Sequence, residues 1–260
     1  MGLEDDKYGG LAVINLEVGR MKIAIIGFGR FGKLFAELLL PYGEVFVVSS
    51  KKIEDDRFTQ IELSEISDCD WVIPCTPIST LEEVLKSITP HLKKGALVMD
   101  VCSVKVLPCQ WLENTLPAET EIIGTHPMFG PDSARNGLAG LQMVICPLRQ
   151  SSETLENIKN IFGGIMGLKI IETTPEDHDR QAAKSLSLVH FIGRGLGEMK
   201  ISKQEISTLG FERLLTVNET VNNDTWQLFL DMQKYNPFAK EARKEFINAL
   251  TEVEKKIEES

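Results

Sequence analysis

The residues best suited to chemistry fall in four short runs. The first is Gly27-Phe28-Gly29-Arg30-Phe31-Gly32, a G-x-G-x-x-G spacing between the apolar run KIAII (22–26) and FGKLFAELLL (31–40). Between a strand and a helix this spacing brings backbone against a pyrophosphate. Gly27 permits the tight turn, Gly29 the close approach, and Gly32 the packing of helix on strand. The N–H groups that open the helix then face the phosphates. The second run is Val48-Ser49-Ser50-Lys51-Lys52. It lies about 20 positions on, where a carboxylate would hold the ribose hydroxyls of NAD. No carboxylate stands there before Glu54. Ser50 can donate to a 2′-phosphate and Lys51 can neutralise it, so the run favours NADP over NAD. The alternative is that Lys51 and Lys52 are solvated loop charges.

The third run follows two strand-like segments. One ends at Cys75 and leads into Thr76-Pro77; the next ends in Asp100-Val101-Cys102-Ser103-Val104-Lys105. Ligands of open α/β sheets sit beyond the carboxyl ends of the strands. That sets Cys75, Thr76 and Pro77 beside the cofactor and Ser103 towards the nicotinamide. Ser103 also suits a helix N-cap, and the two roles are compatible. The fourth run, Gly124-Thr125-His126-Pro127-Met128-Phe129-Gly130-Pro131, follows another strand-like segment. Its two prolines and Gly130 predict a rigid loop that fixes His126. An imidazole there can take a proton from a hydroxyl while hydride leaves the same carbon. By residue type alone the same histidine also reads as structural or simply exposed.

The elements that must position these runs follow from the apolar pattern. Strand-like runs stand at 22–26, 44–48, 70–75, 96–101, 121–125, 142–146 and 168–171, with amphipathic segments such as STLEEVLKSI and SETLENIKNIF between them. Strands alternating with helices of this length predict βαβ units and a mostly parallel sheet. Runs without polar alternation suit strands covered on both faces. After residue 172 the pattern changes. Thr174 can cap a helix, Pro175 suits its first turn, and Asp177 completes a capping-box spacing. From there to Ser260 the patterns are helical. The chain therefore divides into residues 1–20, an extension or linker; 21–172, an N-terminal Rossmann-type α/β domain; and 173–260, an all-helical domain. The terminal TEVEKKIEES reads as a solvated helix.

Composition bounds the function. The chain has 260 residues, 43% of them apolar, with a formal net charge of −10. Wholesale disorder is excluded, and the acidic balance argues against a nucleic-acid partner. No apolar run approaches the ~20 residues needed to span a bilayer, so no membrane role is expected. Cys69, Cys75, Cys102, Cys109 and Cys146 form no C-x-x-C pair, and no zinc spacing is present. Reduced thiols and a cytoplasmic location are expected, with no metal.

The chain resembles the prephenate/arogenate dehydrogenases of tyrosine biosynthesis. The resemblance rests on THPMFGP (125–131), DVCSVK (100–105) and GFGRFG (27–32), at the expected separations. EDHDRQAAKSLSLVHFIGRGLGEMK (176–200), GFERL (210–214) and YNPFAKEA (235–242) are similar to the family's dimerisation domain. The second half is most like the plant-type, NADP-using arogenate dehydrogenases. The resemblance implies a cyclohexadienol substrate with a ring carboxylate and a 4-hydroxyl. Hydride passes from C4 to the nicotinamide, and the carboxylate leaves as CO2. It implies His126 as the catalytic base, Ser103 as the residue that orients it and touches the cofactor, and His190 as a second active-site histidine. Read unaided, His190 is a core residue on a helix face. The helical half should supply a homodimer and the residues that bind the ring carboxylate.

Two positions depart from the family pattern. Bacterial members carry an arginine six residues after the glycine matching Gly210; this chain has Thr216, with Arg213 or Lys184 as substitutes. Plant-type members use an acidic residue for the amino group of arogenate, and Ser207 stands there. A neutral Ser207 predicts that prephenate is used at least as well as arogenate, with Glu205 near enough to keep arogenate in play. The competing readings are another Rossmann-plus-helical reductase, of 3-hydroxyacid or imine type, and a non-catalytic NADP-sensing module. THPMFGP argues against the first. The second has no need of Ser103 and His126.

Overall fold

A computed structural model describes residues 21–260. The reading of residues 1–20 as an extension or linker lies outside the described residues. Two compact units divide between Pro175 and Glu176.

The first unit runs β1 (Lys22–Ile26), α1 (Arg30–Leu39), β2 (Glu44–Val48), β3 (Thr59–Gln60), β4 (Trp71–Pro74), α2 (Leu81–Ile88), β5 (Leu97–Asp100), α3 (Val106–Thr115), β6 (Glu121–Pro127), α4 (Pro131–Ala134), β7 (Gln142–Arg149), α5 (Ser152–Lys159) and β8 (Lys169–Glu172). These strands form one sheet in the order β3-β2-β1-β4-β5-β6-β7-β8. Every pairing is parallel except β6 with β7. The chain crosses over between β1 and β4, so the strand order reverses there. That reversal opens a crevice at the carboxyl edge beside the glycine loop. The uninterrupted apolar runs are explained by burial on both faces: all of β4 and β5 is buried, as is β1 after Lys22. Phe35 of α1 stacks on Phe162 with ring centroids 5.8 Å apart, closing one face of this core.

Three expectations are corrected in detail. The two-residue edge strand β3 has no apolar signature, because both its residues are exposed. The THPMFGP run is not all loop. Thr125, His126 and Pro127 continue β6, paired with Ile145, Val144 and Met143 of β7. The ladder, more than the prolines, fixes His126. Pro127 is tolerated because the next donor, Met128 N–H, resumes bonding to Gln142 O at 2.9 Å. Finally, the N-cap of α3 is Lys105, which makes no side-chain cap bond, so Ser103 does not cap that helix.

The second unit is helical: α6 (Pro175–Ala182), α7 (Leu188–Glu198), α8 (Leu209–Asn223), α9 (Trp226–Tyr235) and α10 (Ala239–Glu258). A π turn over Ala183–Ser187 joins α6 to α7. Thr208 and Thr225 cap α8 and α9, each accepting at 3.2 Å from the backbone N–H three residues on. Gly193 lets α7 approach α8, since a Cβ there would meet Val221 Cγ2 at 2.3 Å. Among the described residues, no helix is long and apolar enough to cross a membrane.

Candidate functional site

The glycine loop has the geometry its spacing predicts. Gly27 sits at φ +101°, and a Cβ on it would meet Cys75 O at 2.8 Å. A Cβ on Gly32 would meet Gly27 O at 2.2 Å, so helix and loop touch only because both positions are glycine. A Cβ on Gly29 would meet nothing within 4 Å, which leaves open space over the loop. Gly29 is also the N-cap of α1 and makes no side-chain cap bond. The first N–H groups of α1 therefore meet an open approach suited to a pyrophosphate. Arg30, first in α1, pairs with Asp132 of α4 at 3.0 Å, so its side chain braces the loop and its backbone faces the opening. Phe31 stacks on Phe35, centroids 5.5 Å apart. Phe28 meets the edge of Phe58.

Beyond β2 an open cleft of about 720 Å³ is lined by Phe28, Lys33, Ser49 and residues 51–57. Ser49, Lys51 and Lys52 line this cleft, and Ser50 between them is exposed. Gln60, from the edge strand, sets the loop: its Nε2 donates to Ser49 O at 2.9 Å and Lys51 O at 3.0 Å, and its Oε1 accepts from Ile53 N at 3.0 Å. Arg57 is spent on Asp55 (2.7 Å) and Glu37 (2.6 Å), and Lys33 on Asp55 (3.1 Å). Arg57 and Lys33 hold the Asp55 carboxyl far below the usual carboxylate range. Among the described residues the Lys51 and Lys52 ammoniums make no ion pair, so they are the cations available to a ligand.

Three adjacent parallel strands carry the next group of candidates to one edge. Thr76 lies two residues past β4, Ser103 three past β5, and His126 within β6, where Gly124 pairs with Asp100. Thr76 Oγ1 and Ser103 Oγ are buried and bonded to nothing. Orphaned hydroxyls are expensive inside a protein unless a ligand satisfies them. A carboxamide, with one acceptor and two donors, suits such a pair, so the chain's residues fit a nicotinamide dinucleotide at this edge. His126 is 5% exposed. Pro77 turns the chain away as the N-cap of a short 3-10 turn. Cys75 packs its Cβ under Gly32, and burial pushes its thiol pKa well up, so it supports the loop as an uncharged group.

One cluster in this unit escaped the sequence reading. Lys105 is fully buried, its Nζ donating to Asp100 Oδ2 and, at 2.5 Å, to Thr125 O. Burial alone would lower the ammonium's pKa, but the Asp100 carboxylate beside it prevails and raises it. The available signal was a lysine between Val104 and Val106 just after an apolar strand. Among the described residues, no group of three or more His, Cys, Asp or Glu side chains is arranged to hold a metal ion.

In the helical unit His190 is 7% exposed, with Nδ1 unpartnered and Nε2 4.0 Å from Asp224 Oδ2. Burial first, then the Arg194 charge one turn on, lower its pKa to about 4. Arg194 donates to Asn222 Oδ1 at 3.1 Å and Asp224 O at 2.6 Å, and lies over the Trp226 ring. His178 is also buried, with Nδ1 2.8 Å from Asp179 Oδ1. Thr216 spends its hydroxyl on Glu212 O at 3.0 Å. Arg213 is exposed, and Lys184 reaches Glu245 at 3.8 Å. Ser207 is exposed and donates to Glu212 Oε1. Ser207 is itself uncharged, but the bond to Glu212 sets a carboxylate against it and removes that reason for preferring prephenate.

Known proteins resemble this chain over both units. A family model described as "Prephenate dehydrogenase, nucleotide-binding domain" matches residues 49–171, and one described as "TYRAAT1-like, C-terminal domain" matches 195–260. "Arogenate dehydrogenase 2, chloroplastic" of Arabidopsis thaliana is 33% identical over 252 residues, covering 91% of this chain and 70% of that one. "Arogenate dehydrogenase 1, chloroplastic" of the same plant is also 33% identical, over 87% of this chain but 38% of its own length. The chain thus spans well under half of one plant relative and most of the other. A solved structure of prephenate dehydrogenase from A. aeolicus, in complex with hydroxyphenyl propionate and NAD+, superposes with a TM-score of 0.74 at 20% identity, covering 93% of this chain and 92% of that one. That likeness speaks for the fold. The identity to the second plant protein, over most of both chains, establishes descent: this chain belongs to the prephenate/arogenate dehydrogenase family.

Proposed function

We propose that the protein oxidatively decarboxylates prephenate, arogenate or both, with hydride transfer to NADP. The observation that carries this reading is the pair of buried, unpartnered hydroxyls, Thr76 Oγ1 and Ser103 Oγ, on strand ends next to a buried histidine. A module that only sensed NADP would need the glycine loop but no imidazole at this edge. When bound, the cofactor supplies the hydride acceptor. His126 takes the proton of the substrate's 4-hydroxyl as the C4–H bond breaks. Ser103 touches the cofactor through its unpartnered Oγ; the orienting bond to His126 that the family resemblance implies is not made, and the imidazole is held by its place in β6. Loss of the ring carboxylate as CO2 then leaves an aromatic phenolate, which takes back the proton held by His126, and the aromatisation drives the reaction forward. The substrate roles carried over to His190, Ser207 and Arg213 belong to the same proposal.

The preference for NADP is supported by Ser49, Lys51 and Lys52 along the cleft and by the lack of a carboxylate at the end of β2. A homodimer through the helical half is supported by the apolar side chains that unit leaves exposed. One experiment tests the activity: absorbance at 340 nm with prephenate and with arogenate, each offered NAD and NADP. A rise with NADP and either substrate is expected. No rise in any of the four mixtures would remove the reading.

A further inference from the structure

Asp100 is a hub between the two residues assigned to the chemistry. Its Oδ1 accepts from Thr125 N at 3.1 Å, and Thr125 precedes His126. Its Oδ2 accepts from Cys102 N at 3.0 Å, and Cys102 precedes Ser103. Lys105 Nζ donates to that same Oδ2 and to Thr125 O, the carbonyl of the peptide bond leading into His126. Thr125 Oγ1 returns a bond to Asp100 O. Asp100, Lys105 and Thr125 are each fully buried. Both polar groups of the Thr125 backbone are thus held by side chains, at a point where β6 has already passed its last pairing with β5, Asp100 with Gly124.

A buried ion pair is a poor way to gain stability. An apolar pair of the same shape often does as well or better. This one does what an apolar pair cannot: it grips two backbone segments by their hydrogen-bonding groups. We propose that the Asp100–Lys105 pair is a positioning device that fixes His126 and Ser103 relative to each other at the sheet edge. The proposal rests on the reading of His126 as the base. Neither Asp100 nor Lys105 is assigned any contact with substrate.

The test uses the full chain with Asp100→Asn/Lys105→Met. This double variant leaves no unpaired buried charge, keeps one of the carboxylate's acceptors, and frees Thr125 O and Cys102 N. Thr125→Val is measured beside it, because it removes only the hydroxyl bond and keeps shape and charge. The readouts are kcat, KM, NADP dissociation constant, and the imidazole NMR signal of His126, identified among four histidines by its loss in His126→Asn. The expected result for the double variant is a kcat lower by roughly 10- to 100-fold, as a displacement near 1 Å produces. KM and NADP binding should stay near parent values, and the His126 signal should move or broaden. Thr125→Val should shift kcat the same way by a few-fold, and it decides the matter if the double variant fails to fold. With His126→Asn inactive, kcat within threefold of parent in the folded double variant, or an unchanged kcat in Thr125→Val where the double variant does not fold, overturns the proposal. If His126→Asn keeps its turnover, the reading of the base has failed instead. The NMR signal then decides positioning alone, an unmoved signal overturning it.

Discussion

In the sheet unit, Ile23, Ile25, Val47, Ile73, Val98 and Ile123 are completely buried, whereas the helical unit leaves Met199, Ile206, Leu209, Trp226, Leu250 and Ile257 between 51% and 94% exposed. Every exposed large apolar side chain among the described residues lies beyond residue 198. Their polar interiors differ too. The Asp100–Lys105–Thr125 cluster is densely bonded, while His190 Nδ1 and Arg194 Nε are orphaned. A sheet clothed by helices on both faces closes its own core. The helices of the second unit carry an apolar surface too large for their own pairing, and surface of this kind marks an interface. On the proposed reading, the first unit is built to hold geometry and the second to meet something else.

The largest expected effect falls on the sheet unit. His126→Asn should lower kcat by roughly 10²–10⁴ and leave NADP binding near normal, as the glycine loop is untouched. Near-normal turnover in steady-state assays would break the contrast at its strongest point.

Acid should find the helical unit first. Because the folded pKa of His190 is lowered to about 4 from 6.5, its contribution is fully present above pH 6.5 and is lost as pH falls towards 4. The loss by pH 4.5 is about 2–3 kcal/mol. Urea titrations at pH 7 and 4.5 should show His190→Gln losing less stability than the parent across that interval. An equal loss in both would mean the orphaned imidazole titrates normally. Lys105 moves the other way, since its raised pKa puts any loss of stability at alkaline pH.

A homodimer through the helical unit predicts that Leu250→Asp/Ile257→Asp, on exposed positions of α10, weakens self-association. Losing burial worth about 1.5–3 kcal/mol per side chain raises the dimer dissociation constant at least tenfold. Light scattering across a dilution series reads it; a parent that is monomeric at every concentration removes the prediction.

The smallest effect is Lys51→Ala. One charge-assisted bond of about 1.5 kcal/mol corresponds to roughly a tenfold narrowing of the NADP-over-NAD preference in kcat/KM. A parent that prefers NAD, or a variant whose ratio does not change, would return Lys51 to the role of a solvated loop charge.

Most of this architecture was legible in the chain. The runs at 22–26 and 44–48 are strands at those bounds, Pro175 opens a helix, and Gly27, Gly29 and Gly32 behave as their spacing requires. These features are local. A turn needs φ above zero within one residue, and a two-faced strand needs an unbroken apolar run. The edge strand at Thr59–Gln60 was invisible because it buries nothing, yet its Gln60 shapes the cleft beyond β2.

The sequence by itself determined the order of strands and helices, the glycine loop, the candidate base and the change to helices after residue 172. Each is written in residues adjacent along the chain. Only the tertiary structure decided that His126 lies on a paired strand, that Ser49 lines the cleft beside Lys51 and Lys52, and that Glu212 stands against Ser207. It also decided that Lys105 is a buried tie. Asp100 and Thr125 are 25 residues apart, and a lysine reads as a surface charge until folding closes that distance and supplies the carboxylate that makes its burial tolerable.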